Sequence, residues 1–206
     1  PAADAVVPQA PTAWNIWVDG KFTWQDEDSP ISDMDGPLYN LIAGVDYKVA
    51  SNLVIGVMGT YEASDMKGSG LFPPTQKTDG WGGGVYMGWS LNDNWVFSAN
   101  VLATSIDTRA NALPSLDSVR LQTSESLTGY YYSGTWRFSP SLTFAWSKEW
   151  QDGNFGLNDQ ITETAILSPG FQIGNTVAIG GNTTVEPWLG SQLDWAIRNR
   201  AVDDVL

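Results

Sequence analysis

The sequence has no cysteine and no histidine among its 206 residues, and only 10 lysines and arginines against 23 aspartates and glutamates. Each shortage excludes something. Without cysteine there is no disulfide framework, no thiolate metal site and no cysteine nucleophile. Without histidine the usual general base, the Ser-His triad and the commonest zinc ligand are gone. A net charge of −13 argues against nucleic acid, whose phosphates need Lys and Arg. It also argues against a basic membrane-surface anchor. No uninterrupted apolar run approaches the roughly 18 residues that a membrane helix needs. A β-barrel needs no such run, because only alternate residues face lipid. The chain opens on Pro1 with no charged-then-apolar leader, so it reads as a processed or trimmed product.

What is present is unusual in one respect. The chain carries 11 Trp, 7 Tyr and 7 Phe. Trp leading the aromatics suits a protein that places amphipathic rings at an interface. A Trp-rich soluble sandwich would have the same composition, so the order of residues has to decide.

The segment Trp14 to Trp24 is the most informative. Trp14, Ile16, Val18, Gly20, Phe22 and Trp24 fall on one parity; Asn15, Trp17, Asp19, Lys21 and Thr23 fall on the other. Successive side chains of a strand point to opposite faces, so this is an amphipathic strand with Trp at both ends of its apolar face. Its ten steps span roughly 33 Å. Tilted by about 40°, that projects to about 25 Å, the height of the apolar band on an outer-membrane barrel. The end tryptophans would then sit at the two membrane interfaces.

Along the chain, residues 1–13 read as a Pro/Ala-rich linker and 14–206 as one β domain. Eight further segments repeat the alternation: Leu38 to Val49, Leu53 to Glu62, Trp81 to Leu91, Trp95 to Ser105, Ser126 to Trp136, Leu142 to Trp150, Leu167 to Gly174 and Thr183 to Trp195. Long links are expected at Gln25 to Pro37, Ala63 to Lys77, Asp107 to Thr123 and Gln151 to Glu163. Short turns are expected at Ala50 to Asn52, Asn92 to Asn94 and Ser139–Pro140, with a longer link at Asn175 to Asn182. Links that alternate long and short are the mark of an antiparallel meander with external loops and short periplasmic turns. Aromatics recur at segment ends, predicting an interface girdle of Trp14, Trp24, Tyr39, Tyr47, Tyr61, Trp81, Trp89, Trp95 and Trp195.

The fold class is therefore all-β, an antiparallel up-and-down transmembrane β-barrel with about nine strands visible of an expected twelve. A soluble barrel binding an apolar ligand would also meander. However, the polar faces here are rich in Gly, Ser, Asn and Thr and poor in charge, unlike a solvated surface. The strands also exceed the usual length of about 5–6 residues.

The opposite parity predicts the lumen lining: Trp17, Asp19, Lys21, Asp46, Lys48, Glu62, Tyr86, Glu186, Trp188 and Asp194. Charged members can pair with one another. The plainer role, stability of a hydrated wall, outweighs contact with a translocating segment, because lumen substitutions generally tune activity. The acidic run Asp26 to Asp35 has no EF-hand spacing and reads as a solvated loop, so no metal site is expected. The glycines of Gly80 to Gly88 have no following Lys-Ser/Thr, which excludes a phosphate loop; they permit curvature. No catalytic residue and no cofactor is expected. An Asp/His protease on a barrel is disfavoured by the missing histidine.

Several stretches together resemble the autotransporter β-domain. Trp14-Asn-Ile-Trp-Val-Asp-Gly-Lys-Phe22 is similar to its opening strand. Leu41-Ile-Ala-Gly-Val-Asp-Tyr-Lys-Val49 with Leu53-Val-Ile-Gly-Val57 is similar to its second hairpin. Gly80-Trp-Gly-Gly-Gly-Val-Tyr-Met-Gly-Trp89 and Val185-Glu-Pro-Trp-Leu-Gly190 are similar to later strands. The resemblance implies a twelve-stranded barrel of the bacterial outer membrane that anchors and helps export an N-terminal passenger. It implies as partners outer-membrane lipid and lipopolysaccharide, the barrel-assembly machinery and the protein's own passenger, with no nucleic acid. Two departures stand out. About three strands remain to be accounted for, and Asp203-Asp204-Val205-Leu206 lacks a terminal aromatic. In addition, Pro1 to Pro11 does not resemble a pore-filling helix, which bears on passenger cleavage. A passive porin-like or structural barrel without cargo is the alternative reading.

Overall fold

A computed structural model describes residues 13–27, 34–68, 75–110, 115–153, 159–180 and 183–203. The linker expected over residues 1–13, apart from Ala13, and most of the acidic run within Asp26 to Asp35 lie outside the described residues. The strands are β1 (Trp14–Glu27), β2 (Met34–Ala50), β3 (Leu53–Gly68), β4 (Thr75–Ser90), β5 (Trp95–Ala110), β6 (Leu116–Gly129), β7 (Tyr131–Ser133), β8 (Trp136–Gln151), β9 (Gln160–Asn175), β10 (Val177–Gly180), β11 (Thr183–Val185), β12 (Trp188–Gln192) and β13 (Trp195–Asp203). The main sheet is an antiparallel meander from β1 through β6, β8 and β9, closed off by β12 and β13, which both pair with β9. It forms a curled half-barrel of nine strand positions. Strands β10 and β11 make a separate small hairpin.

The curl has a local cause. A Cβ built on Gly84 would lie 2.1 Å from the Val101 carbonyl oxygen, and one on Gly82 would lie 2.6 Å from that of Ala103. The β5 backbone is thus folded up toward the face on which these glycines would project side chains, and that face is concave. Only glycine leaves room for so close an approach.

The burial pattern is inverted relative to a water-soluble domain. Among the described residues the buried apolar side chains are Ile106 and Ala165, whereas Thr60, Thr104, Ser118, Ser139 and Ser168 are buried polar ones. All five polar residues lie on the concave face by register. The convex face exposes Ile16 (83%), Val18 (70%) and Trp81 (68%). Large apolar side chains exposed along the middle of this face need an apolar surrounding.

Several boundaries differ from expectation. The long links are shorter than the sequence suggests, because strands run on into polar segments such as Asp65–Lys67 and Asp107–Arg109. The apolar alternation stops where the lipid-facing band stops, but the hydrogen-bond ladder does not. The strand expected over Ser126 to Trp136 is instead β6, ten residues earlier at its start, and the link expected from Asp107 to Thr123 is largely strand. The turn expected at Ser139–Pro140 sits at Gly134–Thr135, where Gly134 has φ of 62°. Ser139 and Pro140 lie inside β8, opposite Gln172 and Phe171. Likewise Leu167 to Gly174 is the second half of the 16-residue strand β9.

Candidate functional site

The candidate site is the concave face, and register alone places its members. In β1 the odd residues face inward, opposite the even residues of β2: Trp17 pairs with Gly44, Asp19 with Ile42 and Lys21 with Asn40. The even residues of β3 to β6 continue that face, then the odd residues of β8 and the even residues of β9 and β12. Of the residues expected to line a lumen, Trp17, Asp19, Lys21, Asp46, Lys48, Glu62, Tyr86 and Trp188 fall on this face by register, while Glu186 and Asp194 lie outside the strands and reach it through Arg137 and Ser168. The residues expected in a girdle fall on the other face.

Three groups form within it. In the first, the Trp17 indole lies over Gly44, where a Cβ would be 2.6 Å from Trp17 Cζ2. The Tyr86 ring lies over Gly56 in the same way, at 2.4 Å. The two rings meet edge to face with centroids 5.6 Å apart. Trp17 Nε1 donates to the Tyr86 hydroxyl, which in turn donates to Asp46 Oδ2 at 2.8 Å. Asn15 Nδ2 reaches the same oxygen at 3.4 Å. The chain of contacts spans β1 to β4 and depends on two glycines between them.

The second group is Glu62, Arg120, Glu149 and Ser118. Arg120 Nη2 pairs with Glu62, across two intervening strands, and Arg120 Nε lies 3.7 Å from Glu149 Oε2. Ser118 Oγ donates to Glu149 Oε1 at 2.8 Å. All three charged side chains are less than one-third exposed, so neither carboxylate is left without the cation.

The third lies toward the short-turn end. Arg137 Nε stands 2.8 Å from Glu186 Oε1 as an ion pair, outside hydrogen-bond geometry. Its Nη2 donates to Gln172 Oε1 at 2.8 Å. Asp194 accepts from Ser168 Oγ and Gln192 Nε2, each at 2.7 Å. Trp188 is 63% exposed at this end. Asp19 and Lys21 join Thr23, Leu38, Asn40 and Ile42 around a recess of about 310 Å³. Lys48 faces inward opposite Val54.

Sequence reading missed Arg120, Glu149 and Arg137. Arg120 lay in a stretch read as loop. Glu149 and Arg137 were recoverable by counting parity from Trp146 and Trp136 on β8. On the convex face the expected girdle residues stack across strands. Trp14 and Tyr47 are directly opposed with centroids 4.8 Å apart, as are Tyr61 and Trp81 at 4.3 Å. Phe22 opposes Tyr39 at 5.3 Å, and Trp95 meets Tyr131 at 6.0 Å. Such pairs each add about 0.5–1.5 kcal/mol beyond burial. Among the described residues no group of three or more acidic side chains is placed to hold a metal ion.

The chain's relatives agree with this geometry. Residues 16–190 match the sequence profile of the autotransporter β-domain. No curated protein sequence matches the chain. The fold is similar to the β domain of the Bordetella autotransporter BrkA, with TM-score 0.67 at 15% identity over 90% of this chain and 80% of that one. It is also similar to the translocator domain of the autotransporter NalP from Neisseria meningitidis, with TM-score 0.52 at 14% identity over 93% and 72%.

Proposed function

The chain belongs to the autotransporter β-domain family, an outer-membrane translocator rather than an enzyme, and from that premise we propose that its concave face is the wall of a hydrated passage. One observation carries the reading: the sheet sorts its side chains by face. Buried hydroxyls and the Arg120 and Arg137 ion pairs are inside; outside, opposed aromatic pairs frame an apolar band, and the ion pairs there stay toward the long-link end. The partners on this reading are the protein's own passenger on the concave face, outer-membrane lipid and lipopolysaccharide on the convex face, and the barrel-assembly machinery during insertion.

The outer strands β1 and β12–β13 have one unpaired edge each among the described residues. Lipid does not tolerate open backbone edges, so on this reading the sheet is one part of a larger closed barrel of about twelve strands.

The absence of cysteine makes the test clean. Single cysteines are placed at Val18 and Val85 on the convex face and at Ser124 and Thr143 on the concave face, in protein inserted into lipid vesicles. Aqueous maleimide should label the concave pair, and a fluorophore on the convex pair should be quenched by brominated lipid chains. Lipid quenching at the concave positions would reject the passage. A stable detergent-free monomer would reject the membrane barrel altogether.

A further inference from the structure

We propose that Lys148, Arg198 and Arg200 form a binding site for the phosphate of a lipopolysaccharide molecule in the external leaflet; this rests on the membrane reading above. The convex face carries its cations only at the end of the longer links: Lys67, Lys77, Arg109, Lys148, Arg198 and Arg200, by register. Below them the band is apolar apart from occasional small polar groups, Asp79 and Asp107 at its upper margin, and Glu125. Two of the cations are already neutralised. Lys77 pairs with Asp65 at 3.1 Å, and Arg109 makes a two-pronged contact with Asp107 at 3.1 and 3.0 Å.

The cluster on β8, β9 and β13 is different. Lys148, Glu163 and Arg200 lie in one row of the ladder. Strand spacing puts the outer two about 10 Å apart at Cα. Glu163 is the one carboxylate facing outward on these three strands among the described residues. Both of its oxygens are engaged: Oε2 by Arg198 at 2.8 Å and Oε1 by Trp146 Nε1 at 3.0 Å. On β6, Asp117 and Glu125 are each four residues from Leu121, the partner of Lys148, or about 13 Å along the strand. Three cations thus share one carboxylate, in a chain of net charge −13.

The surroundings fit a lipid headgroup. Lys148 Nζ sits 4.8 Å above the Trp150 ring, which holds the ammonium at the surface. Trp146 and Trp150 mark this as the level where apolar band gives way to polar headgroups. Arg198 is 49% exposed despite its pair, with its planar fork able to meet phosphate oxygens in two places. Long side chains rooted about 10 Å apart can converge on one phosphate group.

The test measures binding of bis-phosphorylated lipid A to the full-length protein in detergent, by native mass spectrometry. Lys148→Gln with Arg200→Gln leaves the Arg198–Glu163 pair intact, so the fold is kept; cold-gel migration checks it. That double variant should bind at least about tenfold more weakly, as expected for the loss of two charge-assisted contacts. Lys77→Gln with Arg109→Gln should change binding less than about twofold, since those cations are already paired. Dephosphorylated lipid A should bind both forms alike. Equal binding by wild type and the Lys148/Arg200 variant, or equal binding of phosphorylated and dephosphorylated lipid by wild type, overturns the site. Competition by millimolar inorganic phosphate at the same strength as lipid would also overturn it, as the mark of a free-anion site. The cysteine test above is independent, so failure here leaves the barrel reading standing.

Discussion

Replacing Gly84 by alanine tests the curl at its tightest point. The new Cβ would lie 2.1 Å from the Val101 carbonyl oxygen, and 3.0 Å from Leu102 Cα. Ordinary contact begins near 3.4 Å, so about 1.3 Å of clearance is missing. The obstructing atom is backbone, in a ladder where Gly84 faces Leu102 and Val85 faces Val101, so no side-chain rotation relieves it. The β4 and β5 strands must part. Overpacking of this kind costs about 1–3 kcal/mol, and a weakened ladder hydrogen bond adds about 1 kcal/mol. The expected destabilisation is about 2–4 kcal/mol, which lowers the folded-to-unfolded ratio roughly 30- to 800-fold. Two controls lie on the same strand. At Gly88 a Cβ meets nothing within 4 Å, and at Gly83 the nearest atom is 3.5 Å away. Alanine at either should shift stability by less than about 0.5 kcal/mol, or slightly upward. Urea unfolding in lipid vesicles, followed by tryptophan fluorescence, gives all three midpoints. If Gly84→Ala unfolds at the same urea concentration as the controls, the strands are not pinched there and the concave face has been misassigned.

Three other expectations concern charge and coupling. Arg120→Ala leaves Glu62 and Glu149 facing each other without their shared cation, and should cost about 1–2 kcal/mol on a hydrated wall. Adding Glu62→Gln should recover part of that loss, and no recovery would mean that the pair does not hold β3 to β6. Glu125 is different: it faces outward between Ala99 and Phe144, with one carboxylate oxygen buried and unbonded. Glu125→Leu should raise stability by about 1–2 kcal/mol, since acids on a lipid face are penalised, and a lower urea midpoint would reveal a partner for that carboxylate. A double-mutant cycle of Trp17→Phe and Tyr86→Phe should give a coupling of about 1 kcal/mol, and additive losses would deny the contact.

The faces of the sheet were legible from parity, because a buried or lipid-covered face forces strict alternation. Trp14 to Trp24 and Trp81 to Leu91 show this, and their inward and outward sets match the register residue by residue. Strand β6 was not legible for a specific reason. Its outward set includes Asp117, Thr123 and Glu125, which break the apolar rhythm, while the Tyr-rich segment after it imitates a strand centre. Strand ends above the apolar band were invisible for a related reason, since backbone pairing there carries no hydropathy signal. The ion pairs were half legible. Glu62 could be placed on the inner face, but its partner Arg120 is 58 residues away, a pairing that only the three-dimensional register supplies.

The contact between Trp17 and Tyr86 bears on how the domain is built up. In a meander each hairpin can form from neighbouring sequence alone, so β1–β2 and β3–β4 need little from each other at first. The indole of β1, however, reaches its hydrogen-bond partner only when β4 is in place, and that partner is itself fixed through Asp46 on β2. The first four strands are therefore tied by side-chain contacts as well as by the backbone ladder. Neither hairpin alone completes this contact, so it couples the first hairpin to the second.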